Sequence, residues 1–180
     1  QIPEINLIKG HKNFSGYSIY KMKIDESSPA DEQIIARANI KRSKEMMQNY
    51  DKCDLLCRTG GLELLDKFYF LYLQNMKELG TPPFPKNFFK KIIENFSERA
   101  KIILVEKQRQ VCSSSLIIKV SETEMYTYVI CTPRLYKSGR SSHLIYMQAA
   151  KEAQNLGCSV INFGRSIDGS GPAFFKSRYG

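Results

Sequence analysis

No stretch of this 180-residue chain approaches the 18 or so unbroken apolar residues of a membrane-crossing helix, and its first residues show no signal-peptide succession. A soluble chain is expected, cytoplasmic, with room for peripheral contact at the inner membrane face. Histidine is limited to His11 and His143. The five cysteines (Cys53, Cys57, Cys112, Cys131, Cys158) are odd in number, scattered and set in apolar runs. That pattern is unlike a disulfide framework and leaves no ligand set for a metal, so none is expected; the cysteines read as buried thiols in a reducing compartment. No G-x-S-x-G elbow occurs, and neither histidine has an obvious nucleophile beside it. Covalent catalysis is therefore disfavoured. Direct attack by an acceptor amine on an activated ester or thioester asks for less: positioning, charge stabilisation and a proton path.

With 42% hydrophobic and 25% charged residues, the chain can bury one good core and is short for two. It opens on Gln1 and stops at Gly180, and reads as a piece of a longer protein. The net charge is +9, and from Pro133 onward seven Lys or Arg face only Glu152 and Asp168, so more than half of the excess lies in the last quarter. Such a basic field suits an anionic partner: a phosphorylated cofactor, RNA or a phospholipid surface. Solvation of a surface is the plainer explanation.

Periodicity divides the chain into elements. Alternation over Tyr17–Ile24 predicts a strand. Ser28, Pro29 and Asp31 form a capping signal for one helix from about Pro29 to Tyr50, with Arg37, Lys41 and Lys44 as a basic stripe. Cys53–Arg58 predicts a short strand closed by Gly60 and Gly61. Leu62, Leu65, Tyr69, Tyr72, Met76 and Leu79 then mark one helix face, ended by Gly80 and Pro82–Pro83. A further helix starts at Pro85 and buries Phe88, Phe89, Ile92, Ile93 and Phe96. Lys101–Glu106, Val111–Val120 and Met125–Thr132 predict an antiparallel meander, Ser142–Asn155 a helix, and Ser159–Phe163 a last strand that runs into a Gly/Ser-rich loop. The sum is a mixed α/β domain with a largely antiparallel sheet and a helix crossing over between the last two strands.

Two segments could carry chemistry. The basic loop Arg134–His143 leads into a helix start, where free backbone N–H groups and the helix dipole favour phosphate; Lys137, Ser138, Gly139, Arg140, Ser141 and Ser142 are the candidate donor-binding residues. The run from Asn162 to Gly180 combines glycines at 164, 169, 171 and 180 with Arg165, Lys176 and Arg178, a combination able to stabilise an oxyanion or a phosphodiester. A solubilised surface loop would have similar composition.

Three passages together, Leu79-Gly-Thr-Pro-Pro-Phe-Pro85 with Phe88 and Phe89, Leu156-Gly-Cys-Ser-Val-Ile-Asn-Phe-Gly-Arg-Ser166, and the ending with Gly169, Ser170, Gly171, Pro172, Phe175, Lys176, Tyr179 and Gly180, resemble the FemAB-related GNAT proteins. They look most like the branch associated with exosortase and exopolysaccharide systems. The resemblance covers Tyr17 to Gly180. It implies a GNAT-like (acyl-CoA N-acyltransferase) fold, with 17–180 as a C-terminal lobe truncated at its end, 1–16 as a linker or remnant of a first lobe, and that first GNAT lobe missing. It also implies an acyl- or aminoacyltransferase that passes an activated acyl group to an amine acceptor, in cell-envelope, peptidoglycan or exopolysaccharide metabolism. The donor would be acyl-CoA or aminoacyl-tRNA, making tRNA a candidate partner. The family's Phe-Lys pair falls on Phe175 and Lys176, with Arg165 nearby as a third catalytic candidate, and its pyrophosphate loop near Lys137–Ser142. The alternative from another class is a non-catalytic, basic RNA-binding or scaffold lobe of the same shape.

Overall fold

Six strands form one sheet in the order β1-β6-β5-β4-β3-β2 in the computed structural model, which describes residues 16–38, 41–139 and 141–179. The strands are β1 (Tyr17–Lys23), β2 (Leu55–Gly60), β3 (Ala100–Lys107), β4 (Gln110–Lys119), β5 (Glu124–Cys131) and β6 (Val160–Ile167). Every neighbouring pair is antiparallel except β5 and β6. The mixed, largely antiparallel sheet expected from the sequence is therefore present. The parallel pair is made by the crossover of α5 (Ser141–Asn155).

Alternation along the strands feeds two cores, one on each face. Ile103, Val105, Ile117, Met125, Ile161 and Phe163 pack beneath α5, α1 (Ala30–Arg37) and α2 (Lys41–Gln48). Ile102, Leu104, Leu116 and Ile118 pack beneath α3 (Leu65–Leu79) and α4 (Lys86–Phe96). The second face holds an aromatic nucleus: Phe89 lies edge-on to Phe68 and Tyr72, with ring centroids 5.2 and 4.8 Å away. The cover on that face is incomplete, since Tyr17 and Ile19 of β1 and Ile167 of β6 are half exposed or more.

Helix ends follow their local chemistry at α3 and α4. Gly80 takes φ +63° and closes α3, a conformation that costs a Cβ-bearing residue energy, and Pro85 precedes the first turn of α4. Elsewhere the structure corrects the sequence expectations. The single helix over Pro29–Tyr50 is two helices, because Ala38 turns extended at φ −64°, ψ 111°. A straight helix of that span would be about 33 Å long, well beyond the 15-residue α5 it must cover; broken in two, it buries both Ile34 and Met47 over α5. The Ser28–Asp31 capping box does not form: the Ala30 N–H at the start of α1 donates to Gln154 Oε1 of α5 at 2.9 Å, and Asp31 pairs with Lys151 at 2.8 Å. On α3 the buried face is turned toward Phe68 and Leu71, leaving Leu62 and Leu79 exposed. The Gly/Ser-rich ending contains a helix, α6 (Gly171–Lys176), capped by the Ser170 hydroxyl, which accepts the Ala173 N–H. Cys112, Cys131 and Cys158 are buried free thiols.

Candidate functional site

The two parallel strands part company early. β5 and β6 pair only over Glu124↔Val160, Met125↔Ile161 and Tyr126↔Asn162, although β5 runs on to Cys131 and β6 to Ile167. Beyond that point β5 stays paired with β4, and β6 pairs with β1 again from Arg165 to Ile167 after a break in register over Phe163 and Gly164. A wedge thus opens between them, edged by main chain that the sheet does not use.

The turn of β6 away from β5 has a local cause. The Asn162 side chain accepts the Gly164 N–H at 2.8 Å, and Gly164 adopts φ +74°, a left-handed conformation suited to glycine. Asn162 is held in turn, donating to Glu124 Oε1 at 2.7 Å, while Lys21 of β1 pairs with Glu124 Oε2 at 2.8 Å. Burial pushes the Glu124 carboxyl up, but the hydrogen bonds from Lys21 and Asn162 and the Lys21 charge outweigh it and hold the group below its ordinary value.

Lys176, at the end of α6, reaches this turn. Its ammonium donates to the Arg165 carbonyl at 3.0 Å and makes no ion pair with a carboxylate among the described residues. Burial pushes it down from 10.5 to about 8. A Cβ added at Gly164 would lie 3.8 Å from the Lys176 nitrogen and 3.4 Å from the Tyr126 hydroxyl oxygen, so ammonium, phenol and glycine border one small space.

Aromatic packing fixes α6 against the start of α5. Phe175 stacks among His143, Tyr146 and Tyr179, with centroids 4.8, 5.2 and 5.7 Å away, and Tyr179 shares a short hydrogen bond with His143 Nδ1. Burial holds both the Tyr146 and the Tyr179 phenols well above the usual tyrosine range. His143 lies in the first turn of α5, which follows the C-terminal end of β5. The basic tail and the helix start therefore meet, and outside the carboxyl ends of parallel strands is where open α/β sheets take ligands.

The individual candidates fall into three groups. Lys176 borders the wedge directly, and Phe175 anchors it from the core. Arg165 contributes its carbonyl to Lys176, while its guanidinium lies over the Tyr17 ring, 5.4 Å from the centroid. Of the loop residues, Lys137, Ser138 and Gly139 lie in the 3-10 turn Arg134–Gly139, and Arg140 is outside the described residues. Ser141 is 1% exposed, with its hydroxyl buried. The Ser142 hydroxyl is bonded to Thr132 at 2.9 Å, which is in turn bonded to Ser113. The Ser142 hydroxyl is thus engaged, while the Ser141 hydroxyl is buried without a hydrogen-bond partner among the described residues, so an anion at the helix surface would meet main-chain N–H groups. Sequence reasoning missed Tyr126, Asn162 and Glu124 as site residues; the Asn-Phe-Gly step was the local signal.

The fold has counterparts among solved structures. FemX superposes with a TM-score of 0.74 at 12% identity, over 89% of this chain and 57% of its own. The fold is the FemAB-like GNAT fold. L-PGS from Bacillus licheniformis matches at a TM-score of 0.60 and 12% identity, over 91% of this chain and 58% of its own. The C-terminal domain of an Agrobacterium fabrum protein assigned as a lysylphosphatidylglycerol synthetase matches at 0.63 and 10%, over 91% and 56%. The chain thus spans a little over half the length of each. No family model and no curated protein matches the sequence. Among the described residues, no helix is long and apolar enough to cross a membrane.

Proposed function

We propose that this chain is the transfer lobe of an acyl- or aminoacyltransferase of cell-envelope metabolism, which passes an activated acyl group from an anionic donor to an amine. The observation that carries this reading is a half-buried lysine without a carboxylate partner among the described residues, aimed at the wedge between β5 and β6. A cation held in poor solvent and left uncompensated favours the arrival of negative charge. Acyl transfer creates such charge. The neutral amine nitrogen attacks the donor carbonyl carbon, a C–N bond forms, and the carbonyl π pair moves onto oxygen. The oxyanion then collapses, the C–O or C–S bond to the donor breaks, and the amine proton passes to the departing oxygen or sulfur. Lys176 would hold the oxyanion, and the main-chain N–H groups at the start of α5 would hold donor phosphate.

Acyl-CoA and aminoacyl-tRNA both present phosphate beside an activated carbonyl, so either donor suits this arrangement. The test is donor binding and single-turnover transfer in the full-length protein, with acetyl-CoA and aminoacyl-tRNA as separate probes. Lys176→Ala should cut turnover by about 100-fold or more, the scale of one oxyanion donor, while leaving thermal unfolding cooperative. Wild-type turnover in that variant would remove Lys176 from the reaction.

A further inference from the structure

The space above Gly164 has a second polar wall that the reading so far leaves without a role. Tyr126 projects from the last residue pair before β5 and β6 separate. Its ring edge would lie 3.3 Å, and its hydroxyl oxygen 3.4 Å, from a Cβ at Gly164. The residue is half-buried, and no hydrogen bond engages its hydroxyl among the described residues. Tyr128 stands edge-on to it with centroids 6.1 Å apart, which confines the ring without supplying a polar partner.

The Lys176 nitrogen lies 3.8 Å from the same point. An ammonium carries three N–H donors, and the Arg165 carbonyl takes one, leaving two to face the wedge. Two hydrogen bonds of about 3 Å each, meeting on a single acceptor oxygen, bridge an interval of this size. Glycine is what keeps the interval open, since any side chain at position 164 would begin inside it. The Lys21–Glu124–Asn162 chain holds the Gly164 turn and so fixes both walls.

We propose that Tyr126 is a catalytic residue, the neutral member of a two-donor oxyanion site in which its phenol O–H and the Lys176 ammonium bind the same carbonyl oxygen above Gly164. The inference rests on the transfer reaction proposed above and adds a residue to it. As the amine attacks and the carbonyl electron pair moves to oxygen, both donors shorten onto that oxygen. Collapse of the intermediate returns the pair to carbon, and neither donor loses its proton. The phenol thus acts by hydrogen bonding, and phenylalanine at position 126 keeps the ring while removing the donor.

The experiment has two arms, both in the full-length protein. In the first, inorganic phosphate is titrated into protein carrying 13C-labelled tyrosine, with the Tyr126 resonance assigned by its loss in Tyr126→Phe. That resonance should shift saturably, and Lys176→Met should weaken the phosphate affinity at least tenfold. A Tyr126 resonance indifferent to phosphate overturns the two-donor site without reference to any donor substrate. In the second, single-turnover transfer is measured with aminoacyl-tRNA and with acetyl-CoA. Tyr126→Phe should lower the maximal rate 10- to 100-fold at unchanged donor KM. A Tyr126→Phe rate within twofold of wild type, alongside a Lys176→Ala protein that is inactive, refutes the role of Tyr126 and leaves the transferase reading standing. Wild-type rates in both variants remove the parent reading, and this proposal with it.

Discussion

Replacing Lys176 by methionine should stabilise the folded protein at neutral pH while removing its proposed activity. Burial brings the Lys176 ammonium from its ordinary 10.5 down to about 8. Between these values the unfolded chain binds a proton that the folded chain has released. Stability therefore rises with pH across that window, and below about pH 8 the charged side chain is a full burden on the fold. At about 1.4 kcal/mol per pH unit, complete desolvation would correspond to roughly 3 kcal/mol. Solvent still reaches this half-buried group, which reduces the figure to about 1–2 kcal/mol. The lost bond to the Arg165 carbonyl offsets up to about 1 kcal/mol of the gain, most while the donor is charged. Urea unfolding of wild type and Lys176→Met from pH 7 to pH 10 reads the net cost of the charged form. The variant's advantage should be greatest at pH 7 and should shrink by about 1–2 kcal/mol toward pH 10, as the wild-type lysine sheds its charge. A difference that stays flat over that range would show that the ammonium is fully hydrated in the fold, and the electrostatic case for Lys176 would fail.

Two further predictions concern the frame around the site. Ser170→Ala removes the cap of α6 and should cost about 1 kcal/mol, read as faster amide exchange over 171–176 with the sheet unaffected; unchanged exchange there would mean that aromatic packing alone holds the helix. Cys131 is fully buried, and its thiol is pushed up to about 12, so it should resist maleimide at neutral pH in the native protein and react on unfolding; labelling at the rate of a free thiol would contradict the packing of the β4–β5 core.

Much of the scaffold was legible because its signals are local. Alternation located β1 and the β3–β4–β5 meander, while Gly80 and Pro85 marked helix ends by conformations that few other residues accept. The break at Ala38 carries no such mark, since alanine is a strong helix former and bends here to serve packing over α5. The helix α6 was readable in principle: Ser170 followed by Gly171 and Pro172 is a start signal, obscured by the glycines around it. Of the serines in the basic loop, Ser141 is buried and Ser142 is bonded to Thr132, a partner ten residues away in sequence, and neither placement is marked by local composition.

The site itself is a fault in the sheet, which explains why composition could point to its neighbourhood but not to its members. Tyr126 reads as an ordinary strand residue, with no glycine or charged residue directly beside it to suggest a donor. It becomes one because β6 stops pairing with β5 one step later, and that stop is made by Asn162 capturing the Gly164 N–H that a continuing strand would present toward its neighbour. The same capture turns the Arg165 carbonyl toward Lys176. One side-chain hydrogen bond thus opens the wedge, clears its floor and orients its cation. The residues that border the site, Tyr126, Gly164 and Lys176, meet across 12 to 50 positions of chain, and the parallel crossover through α5 brings Tyr126 beside the tail that carries Lys176.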